Sequence, residues 1–333
     1  MKKIFSLILV AAMALAMVGC GSSKEALKFG MGVSANIDNA SNADGDTDGE
    51  GQITSTVAAV LVNSEGKIVK CEIDAAQNKI AYTAEGKYIA NDGFKTKYEQ
   101  GFDYNMVAYS DATKEWFEQV DAFETVVIGK TIDEVKAMVV DGGSGNDEVV
   151  KAGCTIKIAE FVGAVEKAVA NAASSNATED ASLQLGVITE QSGSDASEEA
   201  EGENTLDTTY AAAAIDKDGK VIVADVDTLS FSFTFDTKGQ STVDTSAALR
   251  TKAEMGTDYG MAAYGNDKNG DGVVKEWNEQ AKAFVETSVG KTASEISGMM
   301  NGEGYGSDDV QKAGCTIHVT SFVEALTKAA TIG

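Results

Sequence analysis

The chain has 333 residues, with 52 acidic against 27 basic side chains, a formal charge of −25 and a single histidine, His318. So acidic a chain repels nucleic acid, which excludes nucleic-acid binding as its function. One histidine and four cysteines, with no CxxCH and no four-cysteine run, exclude a Ser-His-Asp site in each half, a zinc cluster, repeated histidine-ligated haem and an iron–sulfur centre.

The first residues predict a secretory signal. Residues 1–19 begin with two lysines after Met1, continue as an apolar run from Ile4 to Val18 and end in a small residue before Cys20. This ending resembles the lipobox of bacterial lipoproteins, with Met17 in place of the usual Leu. The resemblance implies that Cys20 is the lipidated first residue of the mature chain and that residues 20–26 form a tether. The protein would then lie at the extracellular face of the cell membrane, held by a lipid anchor. Simple secretion with a free Cys20 is the alternative.

The rest of the chain is a tandem duplication. The segment GFDYNMVAY at 101–109 matches GTDYGMAAY at 256–264, KEWFEQVDAF matches KEWNEQAKAF, and KAGCTI occurs at 151–156 and again at 312–317. These matches predict a first domain at residues 27–171, a linker at 172–182 and a second domain at 183–333, each of ordinary single-core size.

Within each copy, the pattern predicts strands first and helices later. A hairpin pattern surrounds a Ser-Glu-Gly turn in the first domain and an Asp-Gly turn in the second, and SFSFTFD at 230–236 alternates strictly. Thr131 with Glu134, and Thr292 with Glu295, are capping-box signatures of short helices. An amphipathic helix is predicted after each KAGCT. The fold class is therefore α+β: two duplicated domains, each an antiparallel sheet with helices on one face and a C-terminal helix after the AGCT motif.

A site present in both domains must use residues present twice. Those pairs are Thr155/Thr316, Cys154/Cys315, Gly153/Gly314, Trp116/Trp277, Tyr109/Tyr264 and Met106/Met261, together with repeated lysines and glutamates. Trp116 precedes Thr155 by 39 residues, and Trp277 precedes Thr316 by the same number.

The KAGCT segment permits two interpretations. Glycine allows a sharp turn, and the residues after it are predicted to enter a helix N-terminus, which favours an anion, so that the threonine hydroxyl is placed to carry a phosphate ester. In the structural alternative, the cysteine packs as a small hydrophobic residue and the threonine is the N-cap of the last helix. Letter-for-letter retention in both copies favours the first interpretation.

An acidic residue, a short spacer and Gly–small–Thr before a terminal helix resemble the flavinylation motif of the FMN-binding domain. The matching positions are Gly153 and Thr155, and Gly314 and Thr316, with alanine in place of the first hydroxyl residue of the family and cysteine in place of its alanine. With the anchor and the duplication, the chain is similar to flavinylated lipoproteins of Gram-positive extracellular electron transfer.

This resemblance implies one FMN per domain, joined by a phosphodiester to Thr155 and to Thr316 by a flavin transferase that uses FAD. It implies electrons from a membrane quinol-linked reductase and acceptors outside the cell such as ferric iron or soluble flavins. Trp116 and Trp277 are then the first candidates to stack on the flavin, with the repeated Tyr and Met residues second. Lys114/Lys275 and Lys130/Lys291 are candidates to bind a flavin phosphate.

The second domain alone contains DKNGDG, in which Asp267, Asn269 and Asp271 precede a turn glycine as in a calcium loop. Asn278 stands at the twelfth position, where a bidentate Glu is expected, so the loop predicts weak calcium binding at best.

Two other functions remain open from the sequence. A flavin-free surface binding or adhesion lipoprotein accounts for the anchor, the acidity and the duplication, and a calcium-responsive structural protein rests on the single calcium-like loop.

Overall fold

A computed structural model describes residues 24–91, 93–264 and 274–331, and for Tyr264 it describes the backbone alone. Cys20 and the calcium-loop residues Asp267, Asn269 and Asp271 lie outside these ranges.

Each domain is built on three long antiparallel strands. In the first domain the sheet also contains two short strands, and its strand order is β4-β3-β2-β1-β5; in the second the order is β6-β7-β8. The strands are β1 Lys28–Ala40, β2 Gly49–Val62, β3 Ile68–Tyr82, β4 Tyr88–Ile89, β5 Ala173–Ser174, β6 Ser182–Ser194, β7 Gly202–Ile215 and β8 Val221–Phe235. The predicted hairpins are β2–β3 and β7–β8, and SFSFTFD forms the end of β8.

The helices are shared equally between the domains. In the first they are α1 Lys97–Gln100, α2 Met106–Tyr109, α3 Trp116–Val127, α4 Ile132–Lys136, α5 Asp147–Ala152 and α6 Ala159–Ala170. In the second they are α7 Lys252–Met255, α8 Met261–Tyr264, α9 Trp277–Ser288, α10 Ala293–Ile296, α11 Asp308–Ala313 and α12 Thr320–Ala329. Both predicted capping boxes form, since Thr131 caps α4 and Thr292 caps α10.

The two sheets pack face to face and share one apolar core. Along β2, Val57, Ala59 and Leu61 face the other sheet, while the residues between them, such as Val60, face the helices. Strand β7 divides its buried residues in the same way. The order of layers is therefore helices, sheet, sheet, helices. The α+β prediction is confirmed, and the non-helical face of each sheet is covered by the other domain.

Contacts across the sheets are specific as well as apolar. The Tyr82 ring stacks on Phe235, with ring centroids 4.4 Å apart and planes at 9°. Asn78 is buried and donates through Nδ2 to the hydroxyls of Thr189 and Thr208, at 2.9 and 3.1 Å.

The C-terminal helix of each domain lies directly on its first strand. A Cβ added at Gly30 would be 2.1 Å from the carbonyl oxygen of Ala168 in α6, and one added at Gly186 would be 2.0 Å from that of Ala325 in α12. Glycine at these positions permits the close approach.

Two ion pairs join the domains reciprocally. Lys167 of α6 pairs with Glu254 of α7 at 2.5 Å, and Lys328 of α12 pairs with Glu99 of α1 at 2.5 Å. Each lysine also donates to a carbonyl of its own first strand, that of Val33 or of Val187. Because Glu99 and Glu254 are also the capping-box residues of α1 and α7, each helix start is tied to the other domain.

The linker predicted at residues 172–182 is packed against the first domain. Ala173 and Ser174 pair with β1, and Ala177 and Ala181 are buried. The end of the tether is also held, because Glu25 accepts a hydrogen bond from Ser64 N at 2.7 Å. The sequence did not predict this packing because the buried residues of the segment are alanines, which form no apolar periodic pattern.

None of the helices in the described ranges has the length and apolar character needed to cross a bilayer.

The shared core predicts that both domains unfold together. Phe235→Ala removes the ring stacked on Tyr82 and should lower the free energy of unfolding by about 3–5 kcal/mol, with one transition retained. Chemical denaturation followed by tryptophan fluorescence reports both domains, since each contains one tryptophan. A second transition at the wild-type midpoint, from an unaffected first domain, would contradict the shared core.

Candidate functional site

The repeated KAGCT segment forms the end of a short helix and the turn that follows it. Gly153 ends α5 with φ +109°, and Gly314 ends α11 with φ +103°. These angles belong to the left-handed region that favours glycine, so the predicted sharp turn is present in both domains.

The cysteine of the segment is a core residue. Cys154 and Cys315 are completely buried, and burial raises the pKa of the Cys154 thiol to about 11 and that of Cys315 to about 12. With Cys71 they are free of disulfides. A thiolate is therefore scarce at neutral pH, which disfavours thiol redox chemistry at this site.

The threonine is held by a buried glutamine of the preceding long helix; Thr155 is exposed and Thr316 is partly buried. Thr155 donates to Gln119 Oε1 from its backbone N–H at 2.8 Å and from Oγ1 at 3.0 Å. Thr316 makes the same two bonds to Gln280 Oε1, at 2.8 and 3.1 Å. Because both donors use one acceptor, the hydroxyl has a fixed direction.

Gln119 and Gln280 are site residues that the sequence analysis missed. Each is itself held through Nε2, which donates to the carbonyl of Lys114 or Lys275 and contacts the sulfur of Met106 or Met261 at 3.3 Å. The available signal was the identical EQ pair in KEWFEQ and KEWNEQ, at the same 36-residue separation from each threonine.

The threonines do not lie at a helix N-terminus, which corrects both sequence-based interpretations of their position. Helix α6 begins at Ala159, four residues after Thr155, and Ile158 occupies its N-cap. The intervening residues form an extended step in which Lys157 bridges to Ser144. The helix dipole therefore does not supply the positive potential that was expected at Thr155.

A lysine lies over each turn and supplies a positive charge instead. A Cβ added at Gly153 would be 2.3 Å from Lys114 Nζ, and one added at Gly314 would be 1.9 Å from Lys275 Nζ. Glycine thus leaves room for the ammonium as well as for the turn. Lys130, the other candidate of the first domain, is paired with Glu148 at 2.9 Å.

Of the other apolar candidates in the first domain, Met106 lies against Gln119 and Tyr109 is exposed. Met106 touches Gln119, and its backbone N–H donates to Glu115 Oε2 at 2.7 Å, which fixes α2 beside the start of α3. Tyr109, at the end of α2, is 87% exposed. Met261 occupies the place of Met106 in the second domain, and Tyr264 is the last residue of α8.

The tryptophans belong to the core, so the structure does not offer them as a flavin wall. Trp116 and Trp277 are 3% and 4% exposed and pack edge-on against Phe161 and Phe322. Lysine ammoniums lie 5.8 and 5.9 Å from the Trp116 and Trp277 ring centroids. Their presence once per domain is explained by packing.

Two partly buried carboxyls, Glu72 and Glu124, lie in a cleft of the first domain; the second domain keeps a carboxyl, Asp225, at the position of Glu72 but has none at that of Glu124. Burial and the neighbouring Glu72 raise the pKa of Glu124 to about 9, and burial raises that of Glu72 to about 7. Both line a cleft of about 420 Å³ with Cys71. A cleft of about 510 Å³ at the equivalent place in the second domain has Val285 where the first has Glu124.

Within the described residues, no group of three or more histidine, cysteine or acidic side chains is arranged to hold a metal ion. The calcium-loop prediction falls outside those residues.

Comparison with known proteins gives one partial match to report. The chain is 31% identical over 120 residues to the chlorophenol reductase of Desulfitobacterium hafniense, a match that covers 32% of this chain and 36% of that protein. The chain thus spans about a third of the length of this relative. No family model matches the sequence, and no solved structure matches it.

The raised carboxyl pKa values predict a pH dependence of stability. The pKa of Glu124 is about 9 in the folded chain, above the ordinary glutamate pKa of about 4.3 that applies to the unfolded chain. The contribution of this group to the free energy of unfolding is therefore complete below about pH 4 and is lost as pH rises through about 9. Glu124→Gln should therefore gain stability relative to wild type as pH increases over this range, measured by denaturant unfolding. Glu286→Gln, at an exposed position of α9, is the control; parallel profiles for Glu124→Gln and wild type would refute the prediction.

Proposed function

We propose that this protein is an electron carrier with one FMN esterified to Thr155 and one to Thr316, anchored at the extracellular face of the cell membrane. The observation that supports this most is the duplicated threonine, exposed at 155 and partly buried at 316, whose hydroxyl and N–H both donate to one buried glutamine. A surface threonine without a function has no need of a buried partner in both copies of a diverged repeat.

The chemistry around each threonine fits a phosphate ester. Thr155 is exposed and Thr316 is partly buried, and over the glycine turn before each lies a lysine ammonium that would offset phosphate charge. Esterification by FAD forms the Oγ1–P bond, breaks the P–O bond to AMP and releases the hydroxyl proton. Only the Oγ1 bond to glutamine is lost, so the N–H bond continues to hold the turn after modification.

The surface beside Thr155 fits an apolar ring. Met106 and the exposed Tyr109 lie on α2, next to Gln119, and are the candidates to contact isoalloxazine in place of the buried Trp116. Bound flavin would supply reversible one- and two-electron chemistry, with Thr155 as its attachment and the residues of α2 as its contacts.

The proposed relay runs from a membrane quinol-linked reductase to acceptors such as ferric iron or soluble flavins. The partial similarity to a protein named a reductase agrees with a redox role, but it covers too little of either chain to transfer a substrate. Because the domains share a core, electron transfer between the two sites has to occur at a fixed separation rather than through domain motion.

Flavinylation is tested by intact mass and visible absorbance after production with and without a flavin transferase. We expect two FMN-sized additions, with one lost in Thr155→Ala and the other lost in Thr316→Ala. Thr155→Ser is the matched control, since it keeps the hydroxyl. A colourless protein of unmodified mass under both conditions would favour the flavin-free adhesion function.

The glutamine contact gives a second prediction. Gln119→Leu removes the acceptor of Thr155 and should slow flavinylation at that residue by about 10-fold, while Thr316 in the same molecule is modified at the wild-type rate. Site-resolved peptide mass spectrometry over time measures both rates. Gln280→Leu should show the reverse pattern, and equal slowing at both threonines would indicate a general folding defect.

A further inference from the structure

We propose that the first domain alone carries a docking surface for a partner protein that presents an apolar face with a basic rim. The surface consists of Tyr98, Phe102 and Phe117, here called the aromatic patch. Its role as the place of electron exchange rests on the proposed function, whereas docking itself does not.

The aromatic patch is a connected group of rings at the surface. Phe102 is 71% exposed and meets Phe117 edge-on, with centroids 5.2 Å apart. Tyr98 is 45% exposed and meets the other side of Phe117, with centroids 6.0 Å apart. Phe117 thus contacts two aromatic side chains that are both exposed. Large exposed rings of this kind are enriched in protein–protein interfaces.

The duplication supplies an internal comparison. At the three equivalent positions the second domain has Ala253, Thr257 and Asn278, although the flanking Gly, Asp, Tyr, Glu and Trp residues are the same. Of the large apolar side chains that are exposed in the described ranges, all but Val289 belong to the first domain. Folding of this segment therefore does not require the rings, since the second domain forms the same helices without them.

The aromatic patch and the first threonine site are connected through helix α3 and the segment before it. Phe117 is two residues from Gln119 on α3, and Phe102 precedes Met106 by four residues in the segment that contacts Gln119. Val107 and Tyr109, both exposed, continue the apolar surface along α2. A partner on this surface would contact α3, the helix whose Gln119 holds Thr155.

The charge around the aromatic patch favours a partner protein with a basic rim over anionic lipid or a second copy of this chain. Acidic side chains border the rings: Asp103 follows Phe102, Glu118 follows Phe117, and Asp121 accepts a hydrogen bond from the Tyr98 hydroxyl at 3.2 Å. Lys97, next to Tyr98 in the sequence, is directed over the rings of Tyr104 and Trp116, and Lys328 is paired with Glu99. An acidic border repels anionic lipid and a second copy of the same surface, but it attracts a basic rim.

The test uses a lysine-rimmed haem protein of the mitochondrial cytochrome c type as the probe. Binding to the full mature chain is measured by titration calorimetry at low and high salt, for flavinylated protein and for unmodified Thr155→Ala/Thr316→Ala. We expect binding that weakens with salt and is the same in both forms. In Tyr98→Ala/Phe102→Thr, and with Phe117→Asn added, the dissociation constant should rise by about 10-fold or more.

A control variant and several contrary outcomes complete the test. Ile128→Ala, which removes an exposed apolar residue at the far end of α3, should bind the probe as wild type does. Absent binding, or equal binding by wild type and the aromatic-patch variants, would overturn the proposal. So would patch-dependent self-association in sedimentation, or patch-dependent binding to phosphatidylglycerol vesicles without binding to the probe. If unmodified protein binds as expected but no flavin is ever attached, docking stands and the carrier function fails.

Discussion

Face-to-face packing of the two sheets is the constraint on which the rest of this molecule depends. It covers the faces of β2 and β7 that the helices leave open, and it fixes the helices of the two domains on opposite outer layers. The threonine turns follow short helices of those outer layers and are held by Gln119 and Gln280 of the long ones, so the two turns lie on one rigid scaffold.

Much of the fold could be predicted from the sequence because its signals are local. Hairpin turns, capping boxes and the last amphipathic helix of each repeat depend on neighbouring residues. The sheet packing depends on distant ones, and its signal was the run STVAAVLV, which is apolar without alternation because β2 is buried on both faces. The packing of the linker was missed for a related reason, since its small alanines are buried without forming an apolar pattern.

The candidate site was predicted in part. Pairing of repeats selected the threonines and the turn glycines, and the structure brings Met106 and Lys114 to the same place. Gln119 was missed because a glutamine in a helix is usually a solvated residue, and only its contact with Thr155 shows otherwise. Trp116 was given a ligand role because it is unique in its domain, but uniqueness does not distinguish a binding wall from a core residue. Thr155 was placed at a helix start because Ile156 and Ile158 continue an apolar pattern that the backbone does not follow.

The reciprocal lysine–glutamate pairs have a consequence for the surface of a single repeat. Lys167 pairs with Glu254, and Lys328 pairs with Glu99. Each domain therefore contributes one lysine and one glutamate, and the two pairs join equivalent positions of the two domains. That relation defines an isologous, two-fold interface. One repeat on its own would therefore present a self-complementary face. The covalent link between the repeats joins in one chain what would otherwise be a symmetric dimer. Each half is then free to diverge on its outer side.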